Sequence, residues 1–206
     1  MNWWSESVLP RLMASNLTTP LLEAERRAVC AGLTGRVVEL GFGSGTNLPY
    51  LPPEVTGVWA VEPSETAWRL SERPRSEARV PVVRAGLTGE HLELEDGSMD
   101  SALSTLTLCT IPDLPAALTE LRRVLRPGGA LHYFEHGLAP DASTERWQHR
   151  LEPMQKRVFG GCHLSRDIPR LLREAGFELE GDSAAYLSVP GPMRAWAYVY
   201  RGRAVA

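Results

Sequence analysis

Residues 36 to 45 constrain this chain more than any other stretch, because Arg36-Val37-Val38-Glu39-Leu40 runs without a linker into Gly41-Phe42-Gly43-Ser44-Gly45-Thr46-Asn47. A short apolar run bounded by glycines reads as a buried strand, and glycines at alternate positions let the backbone turn tightly and bring N–H groups close to a ligand. The predicted order is strand, glycine loop, helix. Val58-Trp59-Ala60-Val61 reads as a second strand, ended by Glu62-Pro63. Val80-Pro81-Val82-Val83-Arg84 reads as a third, with Pro81 near its start, where a missing ladder donor is tolerated.

The alternation continues along the chain. Residues 100–106 form a predicted fourth strand, and the next helix gathers Leu114, Ala117, Leu118, Leu121, Val124 and Leu125 on one face before Arg126-Pro127-Gly128-Gly129 stops it. Residues 130–134 supply a fifth strand. Asp167 then caps a helix carrying Ile168, Leu171, Leu172 and Ala175, and residues 177–179 and 195–200 read as closing strands. Two helices precede the first strand: one with Trp4, Val8, Leu9, Leu12 and Met13 on one face, the other starting at Thr19-Pro20 and ending near Gly32.

Strands alternating with helices predict an α/β protein with a Rossmann-like, doubly wound, mainly parallel sheet, an antiparallel closing strand and helices on both faces. No repeat or polar linker divides the 206 residues, so a single domain 1–206 is expected. Within it, N-terminal helices occupy 1–34, a cofactor-binding core 35–136, a segment positioned as a substrate lid 137–166, and a closing helix and strands 167–206.

Composition removes several classes of function. Twenty-two Lys and Arg against 25 Asp and Glu give a formal charge of -3, so no broad basic surface recruits nucleic acid. No apolar run is long enough to span a bilayer, and Met1-Asn2-Trp3-Trp4-Ser5-Glu6 lacks the basic start and apolar core of a signal peptide. Cys30, Cys109 and Cys162 are odd in number and widely spaced, which argues against a disulfide framework and against a zinc site. No metal is expected, and a reducing cytoplasm suits the three thiols.

In doubly wound sheets ligands bind beyond the carboxyl ends of the strands, which is where the glycine loop lies. Glu62, ending the second strand, can accept hydrogen bonds from both hydroxyls of a ribose. Nicotinamide dehydrogenases share these two features. The loop here reads GxGxG rather than GxGxxG, displacing the third glycine of the dinucleotide pattern by one position, so a full dinucleotide is the less favoured ligand.

The chain resembles the class I S-adenosylmethionine-dependent methyltransferases, in the branch that holds small-molecule methyltransferases and the animal thiol S-methyltransferases. The resemblance rests on the order and spacing of Val38 to Gly45, Glu62-Pro63, Asp96-Gly97-Ser98-Met99-Asp100, Leu125 to Gly129, Glu135-His136 and Gly161-Cys162-His163-Leu164-Ser165-Arg166. It implies S-adenosylmethionine as cofactor. Glu39, Gly41, Gly43 and Gly45 would then border its methionine end, Glu62 its ribose, Gly89 and Glu90 the adenine edge, and Thr105 the sulfonium.

The acceptor side is read from fewer signals. Trp147, Leu151, Met154 and Val158 recur at helical spacing, which predicts a helix packed on the core; a cover over an apolar acceptor is the alternative. Methyl transfer from a sulfonium is an in-line displacement that requires alignment and, for some acceptors, removal of a proton. His136, directly after the fifth strand, is the first candidate for that task, and His163 in the Gly160-Gly161-Cys162-His163 turn is the second. Cys162 is set aside as a nucleophile, since direct transfer needs no covalent intermediate with the enzyme. The expected partner is a small, largely apolar acceptor, a thiol first, with a phenol or quinol carbon as rivals. A nicotinamide-dependent oxidoreductase and a non-catalytic ligand-binding protein stand as the alternatives from other classes.

Overall fold

The computed structural model describes residues 3–16 and 19–206. A π-helical turn, Trp4–Val8, leads into α1 (Leu9–Asn16), and α2 follows (Pro20–Cys30). Thr19 caps α2 by accepting a hydrogen bond from the Leu22 N–H at 3.4 Å. The strands are β1 (Gly35–Leu40), β2 (Val55–Val61), β3 (Val82–Gly86), β4 (Met99–Thr105), β5 (Leu125–His136), β6 (Glu178–Tyr186) and β7 (Tyr198–Val205). Between them lie α3 (Glu65–Leu70), α4 (Glu72–Ser76), α5 (Leu114–Val124), α6 (Ala142–Val158) and α7 (Ile168–Glu174).

All seven strands form one sheet in the order β3-β2-β1-β4-β5-β7-β6. The first five are parallel; β7 runs antiparallel between β5 and β6. The connection from β1 goes to β2 on one side, while β4 and β5 lie on the other. The sheet therefore has its switch point between β1 and β4, where ligands of such folds bind.

Alternation along β1 divides the core. Val38 and Leu40 join Ala102, Leu114, Leu118, Leu121, Ile168 and Leu172 beneath α5 and α7. Val37 joins Val29, Cys30, Phe42, Val58 and Leu103 beneath α2. Both sheet faces are thus sealed, as a parallel sheet demands.

Three sequence expectations are corrected. No α-helix follows the glycine loop; a single 3₁₀ turn, Leu48–Tyr50, stands in its place. Pro49 lies inside that turn, Pro52-Pro53 cannot extend a helix, and β2 already begins at Val55. Next, the fifth strand begins at Leu125 rather than at Ala130, so Arg126-Pro127-Gly128-Gly129, read only as the stop of α5, lies within β5. The third concerns α6, whose apolar stripe does not pack on the core.

Trp147 is 56% and Met154 51% exposed, while Thr144, Gln148 and Gln155 are buried. The helix is moored by hydrogen bonds instead. Gln148 accepts from the Ala139 N–H at 2.9 Å and donates to the carbonyls of Gly137 at 2.9 Å and Ala195 at 3.1 Å. Gln155 accepts from the Trp196 indole at 2.9 Å. Side-chain amides that satisfy loop backbone groups explain why the polar face turns inward. No described helix is long and apolar enough to cross a membrane.

Candidate active site

The cofactor side is assembled from β1, β2 and α2. The N–H groups of Gly41 and Phe42 both donate to the Val61 carbonyl, at 3.0 and 3.2 Å, and Gly45 N–H closes the turn onto the Phe42 carbonyl at 3.1 Å. Gly43 has φ +59°, and a Cβ added there would have only the Gly41 carbonyl within reach, at 3.9 Å. It leaves open a cradle that any side chain would begin to fill. Glu62 holds this loop in shape: one carboxylate oxygen accepts from Gly43 N–H at 2.7 Å and the other from Ser64 N–H at 2.8 Å. Burial pushes its pKa up, opposed by these two donors. Each oxygen retains a further lone pair for a hydroxyl.

Behind the loop lies a buried polar network. Arg26 from α2 donates to Asn47 Oδ1 at 2.7 Å and to Thr105 Oγ1 at 3.0 Å; Asn47 donates to Glu39 at 2.6 Å and to Thr105 at 3.0 Å. All four residues are buried. Two atoms of the network, Arg26 Nε and Glu39 Oε2, have no partner among the described residues. Burial pushes the Glu39 carboxyl up to about 8. A buried donor and a buried acceptor left over in one network match the carboxylate and the ammonium of an amino acid.

Of the residues the sequence pointed to, Glu39, Gly41, Gly43, Gly45, Glu62 and Thr105 therefore come together. Gly89 and Glu90 do not join this network. Gly89 is tucked against Leu40, Ile111 and Ala117, and Glu90 accepts from the Asp113 N–H at the start of α5, at 3.3 Å. Sequence reasoning missed Arg26 and Asn47. Arg26 had a signal: it interrupts the apolar stripe of α2 formed by Leu22, Val29 and Cys30, where a charge needs a reason to be.

A second cluster of side chains is built from the exits of β4 and β5. Leu106, directly after Thr105, has φ 55°, a backbone state that costs a non-glycine residue about 1–3 kcal/mol and needs support from its surroundings. That support comes from the Phe134 carbonyl, which accepts from Leu106 N–H at 2.8 Å. It comes also from Glu135, which accepts from Thr107 N–H at 2.9 Å and Ser104 Oγ at 2.7 Å. Burial raises the pKa of Glu135 against these donors.

The supported turn delivers Cys109 to the sheet end. His163 N–H donates to the Cys109 carbonyl at 2.8 Å and the Arg166 guanidinium donates to the Leu108 carbonyl, so the segment after α6 is sewn onto the β4 exit. This brings Cys162 Sγ to 3.6 Å from Cys109 Sγ and 2.9 Å from His136 Nε2. His136 thus joins a cluster of two buried sulfurs and an imidazole. His163 lies apart, with Nδ1 3.4 Å from Glu152, and burial beside Arg166 and Lys156 lowers its pKa. Cys109 was overlooked in the sequence, although it trails the fourth strand much as His136 ends the fifth.

The methyltransferase-domain family matches residues 38–133. The human thiol S-methyltransferase TMT1B is 34% identical over 188 residues, a match covering 84% of this chain and 76% of that protein. The chain belongs to the S-adenosylmethionine-dependent methyltransferases. The rat TMT1B is also 34% identical, over 145 residues, and there the match spans 68% of this chain but only 59% of the relative. A crystal structure of an S-adenosylmethionine-dependent methyltransferase from Thermotoga maritima superposes with a TM-score of 0.69 at 24% identity, covering 98% of this chain and 97% of that one, which establishes the fold.

This methyltransferase has residues that fit its family's cofactor. The unpaired Glu39 oxygen suits the ammonium, the unpaired Arg26 Nε the carboxylate, Glu62 the ribose hydroxyls, and the open side of Gly43 the body of the ligand. A dinucleotide fits less well. Its pyrophosphate would call for a helix N-terminus after the glycine loop, and only one 3₁₀ turn is there.

Proposed function

We propose that this methyltransferase methylates the sulfur of a small, largely apolar thiol. The observation that carries the reading is the cluster of Cys109, His136 and Cys162, which gathers just beyond the β4 exit that begins at Thr105. The thiol S-methyltransferase relatives point to the same acceptor class.

S-adenosylmethionine, when bound, supplies an electrophilic methyl group on a sulfonium. Everything else falls to the chain. Arg26, Glu39 and Glu62 bind and orient the cofactor, and Thr105, at the junction of the two halves, fixes the distance between the cofactor network and this cluster. Orientation of this kind is worth several kcal/mol in a displacement reaction. Arg166, half-buried beside both thiols, provides a fixed positive charge that favours an acceptor thiolate. A thiol with a free pKa of about 8.5 needs little more. Of the two histidines, His136 belongs to the cluster and is the acceptor-side residue we favour; His163 serves the rim through Glu152. The segment 137–166, moored through Gln148, acts as the cover over this cluster.

The test is release of S-adenosylhomocysteine from purified protein offered matched thiols, phenols and quinols. Thiols of moderate size should turn over fastest. Faster turnover of a phenol or quinol of equal size would replace the thiol reading, and no turnover with any acceptor despite bound cofactor would make the chain a ligand-binding protein.

A further inference from the structure

We propose that Cys109, His136 and Cys162 bind one zinc ion, leaving its fourth coordination position for the acceptor sulfur. The last clause rests on the thiol reading above; the metal site itself does not.

The donor atoms of the three side chains all lie within 4.8 Å of one another. They arrive from three separate parts of the chain: the exit of β4, the end of β5 and the turn after α6. With Zn–S bonds of about 2.3 Å and Zn–N bonds of about 2.0–2.1 Å, a tetrahedral site holds two sulfurs about 3.8 Å apart and a sulfur and a nitrogen about 3.5 Å apart. The two sulfurs here are 3.6 Å apart, already close to that edge, and the His136 to Cys162 distance of 2.9 Å needs to open only modestly. A disulfide would demand a far larger change, down to about 2.05 Å.

Backbone contacts hold the donors in this arrangement without help from the thiols. His163 N–H bonds to the Cys109 carbonyl at 2.8 Å, Thr110 N–H to the Thr107 carbonyl at 2.7 Å and Cys162 N–H to the Phe159 carbonyl at 3.1 Å. Both cysteines are buried, at 1% and 6% exposure, so few waters compete for the ion. Two thiolates and one zinc ion sum to zero charge, which a buried site tolerates. Two cysteines and one histidine with an open position is the ligand set of a catalytic zinc, and thiolate donors select against magnesium and calcium.

Such an ion would acidify a thiol that joins it. The acceptor S–H proton passes to solvent as its sulfur takes the fourth position. That sulfur then forms the new S–C bond, while the old C–S bond of the sulfonium breaks and its electron pair remains on the departing thioether sulfur.

The metal site itself is tested without cofactor or acceptor. Protein purified without a chelator or metal-affinity tag is analysed for zinc, then stripped and titrated with cobalt(II) and with zinc in competition with a chromogenic chelator. We expect one zinc per chain and intense sulfur-to-cobalt charge-transfer absorption. Cys109→Ser and Cys162→Ser should abolish that absorption and weaken zinc binding by more than about 100-fold, beyond the usual loss for a partner behind the ligands. Cys30→Ser, in the core beneath α2, should keep it. Absence of charge-transfer absorption in the parent overturns the site whatever the variants do, as does retention of it in folded Cys109→Ser or Cys162→Ser, folding being checked by circular dichroism. Adding a thiol to the cobalt protein should shift the band. An unshifted band removes the acceptor from the ion while leaving the metal site, and a shifted band without thiol turnover defeats the thiol reading alone.

Discussion

The proposed cofactor side and the proposed acceptor side of the crevice are built on opposite plans. The first is a charged and amide network, Arg26, Glu39, Asn47 and Thr105, with Glu62 clamping a glycine loop next to it. The second is a patch of sulfur and imidazole at the end of a strained turn. A polar network binds a charged ligand by satisfying buried groups that are otherwise unpaired. A buried cluster of soft donors offers little solvation to compete with a sulfur nucleophile beside it. The difference also governs how each side should respond to substitution.

The largest contrast is expected from Gly43→Val. A branched side chain enters the open cradle at a left-handed backbone position, so cofactor binding should fall by more than about a thousandfold, roughly 4 kcal/mol, while far-UV circular dichroism still reports the sheet. Calorimetry showing parental affinity would remove the loop from the site. On the other side, His136→Asn should lower turnover by about 100-fold and leave cofactor affinity near that of the parent. Full activity would exclude His136 from the reaction, and a matching loss of cofactor affinity would mean that the two sides are not separable.

Smaller effects probe the network. Arg26→Leu removes two hydrogen bonds from a charged donor and the group matched to the cofactor carboxylate, and should cost about 1.5–3 kcal/mol of cofactor affinity. Glu62→Ala should cost about 1–3 kcal/mol, through the ribose and through the slackened Gly43 loop; Glu62→Gln, which can keep one of the two backbone contacts, should cost less. Equal affinities for Glu62→Ala and parent would take Glu62 out of the site.

The same contrast explains what could be read from the sequence. The mainly parallel sheet, its closing strand and the glycine turn after the first strand were legible because their signals are local: apolar runs and alternate glycines. Arg26 was hidden only because a single charge on an apolar helix face is easily taken for a solvated one. The cluster of Cys109, His136 and Cys162 was not legible. Its members meet only through tertiary hydrogen bonds such as His163 N–H to the Cys109 carbonyl, and the wide spacing that argued against a metal site conceals their proximity. In α6, periodicity correctly gave a helix, but its polar side chains found backbone partners inside and so reversed the face expected to be buried.

The most graded test bears on Glu39. Its carboxyl is pushed up to about 8 chiefly by burial, above an ordinary value of 4.5, because Asn47 and Arg26 only partly offset the lost hydration. Between those two values the folded protein binds more protons at this position than the unfolded chain. Stability from this group is therefore full below about pH 4.5 and declines as pH rises through about 8, with a limiting slope of about 1.4 kcal/mol per pH unit. Glu39→Gln keeps the shape and removes the titration. In thermal melts of the cofactor-free protein at pH 6, 7 and 8, the melting temperature of the parent should fall relative to that of Glu39→Gln at each step, and the gap should stop widening above pH 8. Parallel curves for the two proteins would mean that Glu39 is ionised throughout and paired with Arg26, so that the network meets the cofactor as a preformed ion pair rather than as a neutral acid awaiting an ammonium.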